Sequence, residues 1–264
     1  MDSQRVAAAG SEDMTSPILI LGGTTEAREL AALLAARGAD AVLSLAGRTV
    51  NPVAMPVPVR MGGFGGAEGL AAHLREAGIG ALVDATHPYA ATMSRHAAQA
   101  AAAADVLFLA LRRAPWQPVP GDDWAEVAEA REAVAALGVP EHRVFLALGR
   151  QELAPFVEAP QHDYLIRSVD PVMPPLAVPR ARYILARGPF DEAGEYAMLR
   201  DARIEAIVCK NSGGTATYGK IAAARALGIR VVMLRRPELP EAPNVATAEE
   251  ALAWLDHAGA LRGV

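Results

Sequence analysis

Short, almost continuously apolar runs alternating with helical patterns constrain this chain more than any other feature. Residues 17–21, 41–46, 81–85 and 106–111 are such runs, interrupted only by Ser44 and Asp84, and helical patterns cover 25–36, the stretch from the glycines at 62–66 to residue 77, and 93–104. A strand that is apolar at nearly every position must be covered on both faces, which points to a parallel sheet between helices rather than to a half-exposed antiparallel one. A further short strand is expected at 57–60, after a proline-rich hairpin-like region. Residues 112–123 carry three prolines and one glycine, which reads as a linker or crossover. The beat then resumes, with strands expected at 144–148, 164–169, 182–186, 206–209 and 230–234. The matching helices are expected at 125–137, 151–158, 192–201, 220–227 and 248–258, and Thr247 with Glu250 forms a capping-box pattern for the last. The expected fold is α/β: two open, mainly parallel sheets whose strand carboxyl ends face a common cleft, rather than one sheet of about ten strands. The expected division is a loose tail at 1–16, a nucleotide-binding domain at 17–113, a linker at 114–124 and a second α/β domain at 125–264.

Composition sets the class. With 264 residues, 52% hydrophobic and 21% charged, the chain can bury a substantial core. A net charge of −5 gives no general footprint for nucleic acid, and no apolar run reaches transmembrane length. The single cysteine, Cys209, excludes an intrachain disulfide and a multi-cysteine metal site. His73, His96, His142, His162 and His257 show no ligand spacing, so no metal is expected. A cytoplasmic enzyme fits these bounds, with residues 1–16 resembling no secretory signal and Met14 near the true beginning.

The loop after the first strand, Gly22-Gly23-Thr24-Thr25-Glu26-Ala27, is a degraded dinucleotide fingerprint: Gly22 and Ala27 hold the outer positions, and Thr24 replaces the middle glycine. The Thr24 and Thr25 hydroxyls are expected to compensate by donating to phosphates. The second strand ends without the carboxylate that would hold an unphosphorylated ribose; Arg48 and Thr49 stand there instead, near Ser44. A guanidinium fork suits a ribose phosphate, which favours NADPH over NADH. The fourth strand ends in Asp84-Ala85-Thr86-His87-Pro88-Tyr89, polar groups placed to border a nicotinamide or a substrate, with Thr86 assigned to the cofactor side and Tyr89 to the substrate side.

Both lysines of the chain, Lys210 and Lys220, bracket one glycine-rich turn from strand to helix, Lys210-Asn211-Ser212-Gly213-Gly214-Thr215-Ala216-Thr217-Tyr218-Gly219-Lys220. Free N–H groups at a helix start, with movable point charges, suit anions. Lys210, Ser212 and Gly213 are therefore assigned to the cofactor.

Taken in order, ILILGGTTEAREL, SLAGRT, the GGFGG loop, VDATHPYA, ALGRQEL and VCKNSGGTATYGK resemble the precorrin-6A reductase family of cobalamin biosynthesis, over roughly residues 17–235. The resemblance implies NADPH-dependent reduction of one double bond in a contracted tetrapyrrole, and two Rossmann-like domains with the cofactor between them. A sister activity acts on the cobalt-bearing macrocycle, and these motifs do not separate the two. A substrate with several acetate and propionate groups needs cations around a wide cleft. Arg112, Arg113, Arg150, Arg167, Arg187, Lys210 and Lys220 lie at or near expected strand ends, and Arg150, Arg113 and Lys220, with Tyr89, are assigned to the substrate. Tyr218 is the first choice of proton donor, ahead of His87. Contacts with neighbouring enzymes of the pathway are compatible with this reading. A short-chain dehydrogenase is disfavoured because no tyrosine is followed four positions later by lysine. A non-enzymatic NADPH sensor would have no use for the second polar loop, and a sugar-nucleotide transferase would leave Arg48 unexplained.

Overall fold

The computed structural model describes the backbone of residues 16–47 and 54–262. The amino-terminal tail, Arg48 and Thr49 lie outside the described residues. The first half forms β1 (Ile18–Leu21), α1 (Thr25–Ala36), β2 (Ala41–Leu45), β3 (Val59–Met61), α2 (Ala67–Glu76), β4 (Ala81–Asp84), α3 (Ala91–Ala104) and β5 (Leu107–Leu111). The second half begins with β6 (Trp124–Val127), α4 (Ala130–Leu137), β7 (Arg143–Ala147), β8 (Asp163–Ser168) and β9 (Ala181–Leu185). It continues through α5 (Glu192–Asp201), β10 (Ala206–Lys210), α6 (Gly219–Leu227), β11 (Arg230–Leu234), β12 (Asn244–Val245) and α7 (Ala248–Arg262).

Two six-stranded sheets result, ordered β12-β5-β4-β1-β2-β3 and β6-β11-β10-β7-β8-β9, and all their strand pairings are parallel. The alternation inside the apolar runs explains the layering. Leu19 and Leu21 of β1 pack with Leu70, Leu74 and Ala97 of α2 and α3, while Ile20 between them packs with Leu30, Ala31 and Leu34 of α1 and with Ala251 of α7. The second sheet does the same: Phe145, Ile207 and Met233 face α5 and α6, and Val144, Leu146 and Val208 face α4. Each such buried leucine or isoleucine contributes roughly 1.5–3 kcal/mol over leaving it in water. No helix among the described residues is long and apolar enough to cross a membrane.

Three expectations need correction. The helix expected at 125–137 is broken: Trp124–Val127 is an edge strand paired in parallel with β11, and the helix starts only at Ala130. That four-residue strand is specified by a partner about a hundred residues away, so local periodicity could not reveal it. The helix expected at 151–158 is a pair of 3₁₀ turns, Arg150–Glu152 and Ala154–Glu158, because Pro155 lacks the N–H an α-helix would need there. The carboxyl-terminal boundary also moves. β12 pairs with β5, and α7 packs beside α1, so the chain returns to the first sheet after β11 instead of ending in the second. Within the expected linker, Trp116 is held by the second lobe. Trp116 is buried, its N–H donates to Asn211 Oδ1 at 2.8 Å, and its indole N–H donates to the Gly214 carbonyl at 2.7 Å.

Candidate active site

In the first sheet the chain runs outward from β1 to β2 and β3, then jumps back to β4 on the other side of β1. The carboxyl ends of β1 and β4 therefore flank a switch point, where open α/β sheets form their ligand crevice. A cavity of about 1020 Å³ lies there, between Gly22–Thr25 and Thr86–Tyr89 on one side and Ser212–Thr217 and Arg187 of the second lobe on the other. That is at the upper end of the size of small-molecule sites.

The glycine turn is set by its own sheet and backbone. A Cβ on Gly22 would sit 2.5 Å from Leu43 Cδ1 of the neighbouring strand, and Gly23 has φ of +123°, a backbone state that excludes most side chains. Thr24 corrects an expectation. It is buried as the N-cap of α1, where its hydroxyl accepts from the Ala27 N–H at 3.1 Å and donates to the Ala85 carbonyl at 2.9 Å, so it has no proton left for a phosphate. Thr25 keeps its proton, since its oxygen only accepts from Arg28 Nη2 at 3.1 Å. Arg28, on the first turns of α1 and lining the cavity, was not singled out from the sequence.

Thr86 lines the cavity with its hydroxyl donating to Asp84 Oδ1 at 2.6 Å. His87 beside it accepts the Tyr89 N–H on Nδ1 at 3.3 Å, which leaves the proton of the neutral ring on Nε2. Burial, followed by the nearby cations Arg113, Lys210, Arg236 and Lys220, lowers its pKa to about 3. At neutral pH it is therefore an uncharged imidazole lining the cavity with one N–H to donate.

Several of the other expected site residues hold the lobes together instead of facing a ligand. The Tyr89 hydroxyl, from the first lobe, accepts the Asn211 N–H at 2.8 Å and donates to the Leu234 carbonyl, both in the second lobe. Burial raises its pKa, so it remains a phenol. Arg113 is a bracket between Glu26 Oε2 and the Ser212 carbonyl, each at 2.6 Å. Arg236 adds donors to the carbonyls of Asn211, Ser212 and Arg113 at 2.8–3.0 Å. The Asn211 N–H also reaches the Leu234 carbonyl directly at 3.2 Å, so Tyr89→Phe removes the hydroxyl's two bonds without stranding either group. We expect a loss of about 0.5–1.5 kcal/mol in urea-unfolding free energy, and an unchanged midpoint would show that this clasp adds nothing.

The lysine loop is also rearranged relative to expectation. Lys210 pairs with Glu152 Oε1 at 2.5 Å, lies 4.9 Å over the Tyr89 ring, and lines a separate cavity of about 610 Å³ rather than the main one. Lys220 is buried, with its ammonium donating to the Thr217 carbonyl at 2.6 Å and lying 4.7 Å over Trp116; burial lowers its pKa. It shapes the loop from beneath. Tyr218 points along α6, where Arg225 donates to its hydroxyl at 2.6 Å, and it does not line the cavity, which removes the reason for preferring it as proton donor. Arg150 is exposed and lines neither cavity. Ser212 and Gly213 do line the main cavity, as do Ala246, Thr247 and Glu249 of the returning β12–α7 segment, whose place the sequence had not revealed. No cluster of potential metal ligands occurs among the described residues.

The strand order, glycine turn and two-sided crevice place the chain among Rossmann-like α/β proteins with two parallel sheets. The family description "Precorrin-6x reductase CbiJ/CobK" matches residues 17–256, and the chain belongs to that family. A precorrin-6A reductase from Sinorhizobium sp is 57% identical over 241 residues, covering 91% of this chain and 92% of that protein. One from Rhodobacter capsulatus is 48% identical over 248 residues, covering 94% and 99%. A solved structure described as CobK precorrin-6A reductase superposes with a TM-score of 0.89 at 47% identity, covering 92% of this chain and 97% of that one.

Proposed function

We propose that this protein is a precorrin-6A reductase that uses NADPH to reduce one double bond of the macrocycle, giving precorrin-6B, in the cytoplasm. The observation that carries this reading is the cavity at the β1/β4 switch point, walled on its other side by the second lobe's glycine loop. The residues present fit a phosphorylated dinucleotide. Gly22 and Gly23 keep the strand-to-helix turn free of side chains, the first turn of α1 offers N–H groups, and Thr25 and Arg28 add donors. Arg48 and Thr49, just past β2, are assigned to the ribose phosphate, and Thr86, Ser212 and Gly213 to the walls around the cofactor. When bound, the cofactor supplies the hydride.

The chain's own residues bind, orient and exclude water. The clasp of Tyr89, Arg113 and Arg236 fixes the distance between the two lobes, so a donor carbon held by one and an acceptor carbon held by the other meet at a set separation. His87 holds its proton at Nε2 and offers a hydrogen bond to the substrate edge without bringing a positive charge. The conjugated macrocycle nitrogens delocalise the charge that develops, so no imidazolium acid is required. The metal-free substrate is favoured because the two relatives and the structural match just described carry the name of the metal-free activity.

Mixing the protein anaerobically with NADPH and precorrin-6A should consume one nicotinamide equivalent per macrocycle, followed by the loss of nicotinamide absorbance. Binding of NADPH without oxidation would instead indicate a sensor, and turnover only with the cobalt-bearing macrocycle would shift the activity to the sister reaction.

A further inference from the structure

We infer that Arg187 is the cation that receives a peripheral carboxylate of the tetrapyrrole, with Val169 supporting the ring beside it; this rests on the substrate reading above. The inference comes from how the cleft's other cations are engaged. Arg113 is bonded to Glu26 and Ser212, and Arg167 is buried against Glu195. Arg112 faces Asp84 and the Pro240 carbonyl, and Lys210 is paired with Glu152. Lys220 is enclosed below the loop. Arg28 belongs to the glycine turn of the first lobe, where it touches Thr25.

Arg187 differs from all of these. It lines the main cavity, it is exposed, and among the described residues it has neither an ion-pair partner nor a hydrogen-bond acceptor. An unengaged guanidinium on the wall of a cleft is positioned for a planar, bidentate anion such as a carboxylate. Its backbone is well supported. The Phe190 N–H donates to the Ala216 carbonyl at 2.9 Å, tying this segment to the glycine loop, and the Arg167 guanidinium lies 3.7 Å over the Phe190 ring.

Beside the cation is an exposed aliphatic side chain. Ser168 of β8 pairs with Leu185 of β9 and its carbonyl accepts the Ala186 N–H, which brings Val169 to the strand ends close to Arg187. Val169 lines the cavity while 49% exposed; Leu185 lies on the other face of the sheet and does not line it. A ligand with an apolar ring face and an acidic rim complements this pairing of an exposed aliphatic with one free charge.

The test separates this inference from the function itself. Uroporphyrin III, a stable tetrapyrrole bearing only acetate and propionate side chains, is titrated against the wild type, Arg187→Ala and Arg187→Lys by fluorescence quenching; NADPH is titrated in parallel. Loss of the guanidinium should weaken uroporphyrin binding about tenfold to a hundredfold, with lysine restoring part of it, and leave NADPH affinity unchanged. Unchanged uroporphyrin binding in Arg187→Ala would overturn the assignment, as would a selective loss of NADPH affinity, which would make Arg187 a phosphate ligand. Turnover of precorrin-6A by the wild type is measured separately. If turnover is absent while uroporphyrin binding depends on Arg187, the reductase reading fails and the carboxylate site stands.

Discussion

Glu195→Ala is expected to lower the unfolding free energy by about 3–5 kcal/mol, a large part of the roughly 5–15 kcal/mol a folded domain commands. Glu195 is 4% exposed and meets the guanidinium of Arg167, itself 9% exposed, through two hydrogen bonds, of which the Nη2–Oε2 contact is 2.9 Å. The cost comes from what remains. Arg167 cannot lose its charge, so removing the carboxylate leaves a guanidinium out of water between Phe145 and Phe190. Replacing both partners, as in Arg167→Met with Glu195→Leu, should recover most of the loss, because neither charge then needs solvation. Denaturant unfolding of the two single variants and the double variant measures this directly. A shift below about 1 kcal/mol for Glu195→Ala would mean that water reaches the pair. The effect also extends to the cleft, since Arg167 supports Phe190, and Phe190 anchors the glycine loop at Ala216.

The second large effect is expected from Gly213→Ala. Gly213 has φ of +69°, which costs an alanine about 1–2 kcal/mol. A Cβ there would also lie 2.2 Å from the Ala114 carbonyl oxygen and 2.4 Å from Arg236 Nη2. The guanidinium can move, but Ala114 is backbone in a segment pinned by Trp116, so the loop must shift instead. A displacement of about 1 Å in a cleft wall can cost on the order of a hundredfold in turnover, and we expect at least that. Gly63→Ala is the control: nothing lies within 4 Å of its Cβ, and turnover should stay near wild type. Full activity in Gly213→Ala would show that the loop does not shape the reacting geometry.

The glycine turn illustrates how far local reading reaches. Gly22–Thr25 was legible because a strand that must turn into a helix over a ligand needs residues without side chains, and that requirement is written in the adjacent Gly22 and Gly23. Thr24 shows the limit. Its residue type suggests a phosphate donor, yet its proton goes to Ala85, 61 positions away. The same happened to Tyr89, whose acceptor Leu234 is 145 positions away, and to Arg113, whose carboxylate partner Glu26 is 87 away. Arg187 was one of seven cations near expected strand ends; Arg112, Arg113, Arg167, Lys210 and Lys220 are engaged by partners and Arg150 lines neither cavity, which sets Arg187 apart.

Nearly continuous apolar runs such as those around β1 and β5 determined by themselves that this chain forms parallel sheets covered on both faces, since such strands cannot leave either face in water. Helix caps and glycine turns likewise follow from backbone geometry over a few neighbouring residues. Which polar groups remain free for chemistry was decided only by the tertiary structure, and so was the return of β12 and α7 to the first sheet. A donor's availability depends on every acceptor within about 3 Å of it, and folding brings those acceptors from anywhere along the chain.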